Sequence, residues 1–249
     1  LLRELKANLE KEVVIKGWVD VARNQGKVAF FDFRDRSGKV QGVVFGKPEV
    51  HAVAQTLKQE WVVSVTGIVH ARQEKMVNEK VQNGDIELEI TNIEVLAEAD
   101  ALPFDMSLTG YNLDLTTELD HRALTLRHPR LQAIFKVQSV IIDSFREYMK
   151  SQEFFEFQAP SITPATAEGG AEVFEVNYFD KKAYLPQSPQ LYKQIVMTAF
   201  ERVFSVNKVF RAEPSATTRH ITEIVSLDAE MGFIDSWTDV RDMSEATVR

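Results

Sequence analysis

The sequence predicts an α+β chain: an N-terminal all-β barrel, followed by an antiparallel sheet flanked by helices. Three observations carry that prediction. Five strand-like runs with period-two patterning occupy the first hundred residues. A long stretch of apolar residues at three- and four-residue spacings follows, from Arg130 to Lys150. Two further strands, separated by a polar loop, then lie between Ser205 and Phe233.

The barrel runs are Val13 to Val21, Val28 to Arg34, Lys39 to Phe45, Trp61 to Val69 and Ile86 to Leu96. Ser37-Gly38 turns the second run into the third. Between the third and fourth, Pro48 to Lys58 reads as a short helix opened by its proline. Three strands, a helix and two strands is the order of an OB-fold barrel. In the second run Ala29, Phe31 and Phe33 share the apolar face, while Phe30, Asp32 and Arg34 point the other way. Gln41 falls on the polar face of the third run. An aromatic ring beside an amide is how such barrels stack a base and read its edge. The plainer alternative is a phenylalanine packed beneath the loop between the first two strands.

Composition bounds the rest. The 249 residues are 44% hydrophobic and 27% charged, an ordinary globular balance long enough for two domains. No apolar run approaches a membrane span, and the amphipathic start Leu1-Leu2-Arg3-Glu4-Leu5-Lys6 lacks the apolar core of a signal peptide. A cytoplasmic protein without membrane partners is expected. Residues preceding Leu1 are expected too, since no methionine opens the sequence. The absence of cysteine excludes disulfides, thiolate metal sites and cysteine nucleophiles. Net charge is −8, with 14 basic and 16 acidic residues up to residue 100 and 15 and 21 beyond it. Neither half is basic, so any nucleic acid must be held by a local patch and by shape.

Residues 99–116 lack periodicity and hold a proline and a glycine, as an interdomain linker would. The expected division is therefore 1–98 for the barrel and 117–249 for the second domain. Thr117 to Arg127 reads as a helix stopped at His128-Pro129. In the long helix that follows, Leu131, Ile134, Phe135, Ile141, Phe145, Tyr148 and Met149 recur at helical spacing. A short strand, Phe154 to Phe157, comes next. A plain core helix followed by a turn fits these residues equally well. Thr166 to Ala171 is small and flexible with one carboxylate, Glu168, and paired glycines suit a mobile loop over a site. Ser188 is a good helix N-cap and Pro189 suits the first helical position. Gln190 and Lys193 then share a helix face near its positive end, a natural carboxylate site. The alternative is two ordinary surface side chains.

The hairpin Ser205 to Phe233 is odd for a core element. Strand alternation puts Arg211 and Glu213 on one face, and Ile224, Ser226, Asp228 and Glu230 on one face of its partner. The connecting loop ends in Thr217-Thr218-Arg219-His220. One reading is a solvated face laced with weak ion pairs. The other is a nucleotide site, because arginine forks grip phosphate bidentately.

The hairpin alone slightly favours the first; its resemblance, and that of stretches upstream, to a known family favours the second. VFRAE at 209–213, TTRH at 217–220 and LDAEM at 227–231 together resemble motif 2 of class II aminoacyl-tRNA synthetases. The aspartyl and asparaginyl enzymes of archaeal and eukaryotic type are the nearest form. GWV at 17–19 and AFFDFRDRSGKVQ at 29–41 are similar to the anticodon-binding barrel of that group. LDHRALTLRHP at 119–129 resembles the start of its catalytic domain, and the long helix with its strand and proline resembles motif 1, the dimer-interface element. QSPQLYKQ at 187–194 is similar to the aspartyl members in particular.

The resemblance implies an enzyme that joins aspartate to tRNA(Asp) with ATP and Mg2+, with tRNA(Asn) left open as a second acceptor, acting as a homodimer through the motif 1 region. It implies that Glu168, Gln190, Lys193 and Arg211 bind aspartate. It implies that Arg211, Glu213, Arg219, His220 and Ile221 bind ATP, with Arg211 central to catalysis, and that Asp228 and Glu230 orient the arginine or the amino group. Arg23, Phe30 and Gln41 would read the anticodon. Asn24, Asp20, Glu153 and Ile224 depart from the usual pattern of the group. No glycine-rich motif 3 follows Phe233, and Asp239 to Arg249 reads as a helix still in progress. A fragment carrying motifs 1 and 2 only is expected, with its metal ligands beyond residue 249. The open alternatives are an asparaginyl enzyme and a non-catalytic tRNA-binding or regulatory paralogue.

Overall fold

Alternation builds the first unit of the computed structural model, residues 1–114. The structure describes residues 1–26, 28–79, 81–106, 111–165, 173–214, 217 and 220–249. Strands β1 (Glu12–Gln25), β2 (Val28–Asp35), β3 (Gly38–Phe45), β4 (Val62–Ala71) and β5 (Ile86–Ala97) close into a barrel in the order β1-β2-β3-β5-β4. Helix α1 (Pro48–Thr56) sits between β3 and β4. All neighbours are antiparallel except β3 and β5.

The inward side chains are those the alternation selects. Ala29, Phe31 and Phe33 are fully buried, and the two rings stack with centroids 5.8 Å apart. Val40 and Val44 from β3, Val63, Val65 and Val69 from β4, and Leu88 and Ile90 from β5 complete the filling. Gly67 marks a corner where the β4–β5 register shifts. A β-carbon there would lie 2.5 Å from the Glu89 carbonyl oxygen, so only glycine lets the strands approach.

A 3₁₀ turn over Leu2–Asn8 plugs the barrel with Leu2 and Leu5. Asp35 ties it down: its carboxylate accepts from Leu2 N at 2.9 Å, Ser37 N at 2.6 Å and Gly38 N at 3.1 Å. Burial works against the Asp35 charge, but these hydrogen bonds and that of the Ser37 hydroxyl outweigh it and hold its pKa below the usual carboxylate value.

The second unit spans residues 115–249. The helix expected over Thr117 to Arg127 is two short ones, α2 (Leu115–Asp120) and α3 (Arg122–Thr125), interrupted at His121. His128 then caps α4 (Pro129–Ser151), its Nδ1 accepting from Arg130 N at 3.2 Å. Only Leu131, Phe145 and Met149 of α4 are buried, whereas Ile134, Phe135, Val137, Val140 and Ile141 are exposed. The periodicity was therefore right about a helix but does not make it a core one.

Helix α4 ends in a Schellman motif. Glu153 N donates to Lys150 O at 3.1 Å and Phe154 N to Met149 O at 3.0 Å. Glu153 adopts φ 64°, the conformation that favours glycine at this place.

Strand β6 (Phe155–Glu156) runs parallel to β9 (Arg202–Phe210), which pairs antiparallel with β10 (Glu223–Met231). One face of this sheet is apolar: Phe204 meets Phe145 of α4 edge-to-face at 5.6 Å, with Met149 and Phe154 alongside. Helix α5 (Gln190–Phe200) packs on the same two strands, and α6 (Trp237–Val248) is opened by a Ser236–Asp239 capping box. The sequence reading missed the hairpin of β7 (Glu175–Tyr178) and β8 (Lys181–Tyr184). Its strands are short and largely exposed, and its turn residue Phe179 is 90% exposed at φ 56°.

Candidate active site and nucleic-acid interface

Register decides what the β9–β10 sheet offers opposite its apolar face. Directly paired residues of an antiparallel ladder point the same way. Val203, Ser205, Asn207 and Val209 therefore share a face with Glu230, Asp228, Ser226 and Ile224. That alternation is the one expected for Ile224 to Glu230. The β9 strand itself ends at Phe210, so Arg211 and Glu213 lie just past it, in the connecting loop. Arg211 N still donates to Thr222 O at 3.0 Å, extending the ladder by one rung.

The tip of α5 rests beside this face. The helix is capped one residue later than expected, at Pro189, whose carbonyl accepts from Lys193 N at 2.9 Å; Ser188 lies just before the cap, and its Oγ accepts from Gln190 N at 3.2 Å. Lys193 lies one turn into the helix, with its side chain only 13% exposed. Its Nζ reaches Asp228 Oδ1 at 3.3 Å and Glu230 Oε2 at 3.5 Å. Asp228 also accepts from the Ser226 hydroxyl. Asp228 and Glu230 thus hold Lys193; neither pairs with Arg211. Lys193 lies between two carboxylates, at a place where an incoming carboxylate could join the network.

Phe210 N donates to Pro186 O at 2.8 Å. That bond fixes the 185–190 segment against the end of β9 and brings the tip of α5 next to Arg211. The Arg211 side chain is exposed and pairs with no carboxylate among the described residues. A guanidinium in that state suits a phosphate or a substrate carboxylate. Across the loop, His220 Nδ1 meets Thr217 Oγ1 at 2.7 Å, and its Nε2 stands 3.9 Å from Glu213 Oε2. Ile221 is exposed. Glu168 and Arg219 fall outside the described residues. ATP fits the residues present, since an unpaired guanidinium, an imidazole and a carboxylate line one loop. No group of three or more metal-ligating side chains occurs among the described residues, so the structure names no ligands for Mg2+.

The outer face of the barrel is built by β1, β2 and β3. Phe30 is half-buried and lies between Arg23 on β1 and Val43 on β3. Gln41 is paired with Asp32, two residues along, and so is diagonal to the Phe30 ring. Arg23 donates to both Asp32 oxygens, at 3.0 and 2.9 Å. Burial pushes the Asp32 carboxyl above its usual value, and Arg23 pulls it partly back. The three expected base-reading residues therefore share one surface.

Next to them, Asp20 occupies the position where the β1–β2 register shifts. It is 3.2 Å from Arg34 Nε and is also bonded to Lys39. Arg34 lies over the Trp18 ring at 5.2 Å, and its Nη2 donates to both Glu60 carboxylate oxygens. Sequence reasoning missed Arg72. Its Nη2 donates to Gln41 Oε1, and its Nε stands 3.6 Å from Glu87. Nothing local marks Arg72, because it follows the end of β4 and meets partners from β3 and β5.

Comparison with known proteins matches both units. Residues 13–96 match the OB-fold nucleic acid binding domain, and residues 114–249 match tRNA synthetases class II (D, K and N). The second match covers more than half of the chain, which therefore belongs to the class II tRNA synthetases of the D, K and N group. An aspartate–tRNA(Asp/Asn) ligase of Archaeoglobus fulgidus is 41% identical over 252 residues, 99% of this chain and 56% of that protein. A crystal structure of a putative aspartyl-tRNA synthetase from Leishmania major superposes with a TM-score of 0.89 at 33% identity, covering 99% of this chain and 50% of that one. Asparaginyl-tRNA synthetase from Pyrococcus horikoshii, complexed with asparaginyl-adenylate, gives 0.86 at 34% identity, with 97% and 54% covered. The chain spans about half the length of the curated relatives it matches.

Proposed function

We propose that this chain is the anticodon-reading and amino-acid-reading portion of an aspartate–tRNA ligase, a cytoplasmic enzyme. It would charge tRNA(Asp), with tRNA(Asn) as a second candidate acceptor. The observation that carries the choice of aspartate is Lys193, a largely buried ammonium at the tip of α5. A cation there suits a guest with a carboxylate side chain. A carboxylate guest would share the ammonium with Asp228 and Glu230, whereas an amide guest brings it no charge, a basis for choosing between the two.

The chemistry needs little from the protein beyond placement. The aspartate α-carboxylate is ionised at neutral pH and needs no base to attack the α-phosphorus of ATP. ATP supplies the activated phosphoryl group and the pyrophosphate leaving group. Arg211 would hold the α-phosphate and the attacking carboxylate together, and Glu213 would accept from the adenine amino group. Arg219, His220 and Ile221 would meet the γ-phosphate and the base. Glu168 and Gln190 would bind the amino-acid head, and Asp228 and Glu230 would keep Lys193 in place. Such positioning and charge stabilisation account for most catalysis of this kind. Mg2+ would neutralise the polyphosphate.

The exposed stripe Ile134, Val137 and Ile141 on α4 supports a homodimer through this helix, because three- and four-residue spacing makes one continuous apolar surface. Phe30, Gln41 and Arg23 would take the anticodon.

The test is aspartate-dependent ATP–pyrophosphate exchange in the full-length protein, run against asparagine. Aspartate should support exchange and asparagine should not. Arg211→Ala should lower the rate by at least about a hundredfold. Retained exchange in that variant, or equal use of both amino acids, would refute the reading.

A further inference from the structure

The Gln41 amide has two ends, and which one faces a base sets what it reads. A guanidinium carries five donors and no acceptor. The Gln41 atom bonded to Arg72 Nη2 must therefore be Oε1, whatever the orientation of a free glutamine would be. The Arg72 side chain is only 11% exposed, and Glu87 Oε2 stands 3.6 Å from its buried Nε, an ion pair without a hydrogen bond. With Oε1 taken, both Nε2 hydrogens of Gln41 remain, and they bond to none of the described residues. This donor end lies on the same face as the Phe30 ring.

We propose that Arg72 is a positioning residue for base reading: by holding Gln41 Oε1 it presents the amide nitrogen, and so selects a base edge with a carbonyl acceptor over one with an amino donor. Uracil offers O4 at the position where cytosine offers N4–H2, so the pair discriminates uridine from cytidine. The inference rests on the assignment of Gln41 to anticodon reading. Arg72 does not touch the base.

The experiment measures Kd for two RNA hairpins, with loops carrying GUC or GCC, on the full-length protein and its variants. Wild type should prefer GUC by about tenfold, within the usual range for one amide contact. Arg72→Gln can offer either end to Gln41, so the amide is free to turn. Its GUC-to-GCC ratio should fall to within about twofold, with GCC binding tighter relative to GUC. The ratio is the readout, because an unpaired Glu87 would weaken both RNAs alike. Arg72→Lys keeps a pure donor and should retain the preference. Gln41→Glu keeps the arginine bond but has only acceptors, so its preference should invert toward GCC; it also serves should Arg72→Gln fail to fold.

Two failures are distinguishable. If Gln41→Ala leaves GUC binding and the ratio unchanged, the assignment of Gln41 to base reading falls, and the proposal with it. If Gln41→Ala abolishes the preference but Arg72→Gln retains it, base reading stands and the role of Arg72 is overturned. A GUC preference in Gln41→Glu would also overturn it.

Discussion

The two units of this chain solve the burial problem in opposite ways. The barrel closes on itself, and a continuous cluster runs from Leu2 through Phe31, Val65 and Leu88 to Ile93. The residues proposed to read a base lie on its outer face. The second unit has only a small described cluster, Phe145, Met149, Phe154 and Phe204, and shows solvent much of α4. Its sheet is divided instead, with packing on one face and charge on the other. Both units divide core and surface between alternate residues of each strand; the barrel encloses its inner face with its own strands, whereas the open sheet needs a helix to cover its apolar side.

Four measurements would break or sharpen this contrast. The largest effect should come from Phe33→Ala, which empties the centre of the barrel. It should lower barrel stability by about 3–5 kcal/mol in denaturant unfolding. An equal loss in signals from the second unit would break the contrast, since the units would then unfold as one. Asp35→Ala should cost about 1–2 kcal/mol, because three backbone N–H groups lose their acceptor. Asp35 has a lowered folded pKa, so its contribution is complete above the unfolded value of about 4 and disappears as pH falls through the folded one. The wild-type advantage over Asp35→Ala should accordingly vanish in acid.

Glu153→Gly acts on the other unit and with the opposite sign. Relief of the φ 64° conformation should stabilise it by about 1 kcal/mol, seen as a raised midpoint for that unit alone. The smallest effect belongs to His70, whose ring nitrogens face Glu10 and Glu89 at 3.1 Å. The Glu10 hydrogen bond, then that of Glu89, raises its pKa against a small cost of burial. Its stabilisation is complete below the unfolded value of about 6.5 and is lost as pH rises through the folded one. Solvent screening limits it to less than about 0.5 kcal/mol. The melting temperature of the barrel should drop slightly between pH 6 and 8, and in His70→Gln it should not.

The barrel was legible because every strand obeys one rule over its whole length. Ala29, Phe31 and Phe33 announce an inner face, and the structure buries all three. The alternation along β10 was legible for the same reason. What escaped depends on partners distant in sequence. Lys193 looked like a cation awaiting a ligand, and its two carboxylates lie 35 and 37 residues further on. Arg72 became visible only once β3 and β5 were brought alongside it. The hairpin at 175–184 escaped because its strands bury almost nothing, so no alternation marks them.

The divided sheet also limits how the sequence can vary. Adding or removing one residue within 223–231 would exchange the two sides of β10 beyond that point. Asp228 and Glu230 would swing toward the packed helix, and Met231 would take their place beside Lys193. A length change there would damage folding and chemistry in a single event. The loop at 211–222 lies outside that alternation, so a change of length there would leave the two sides of β10 as they are, although it carries the residues proposed to bind ATP.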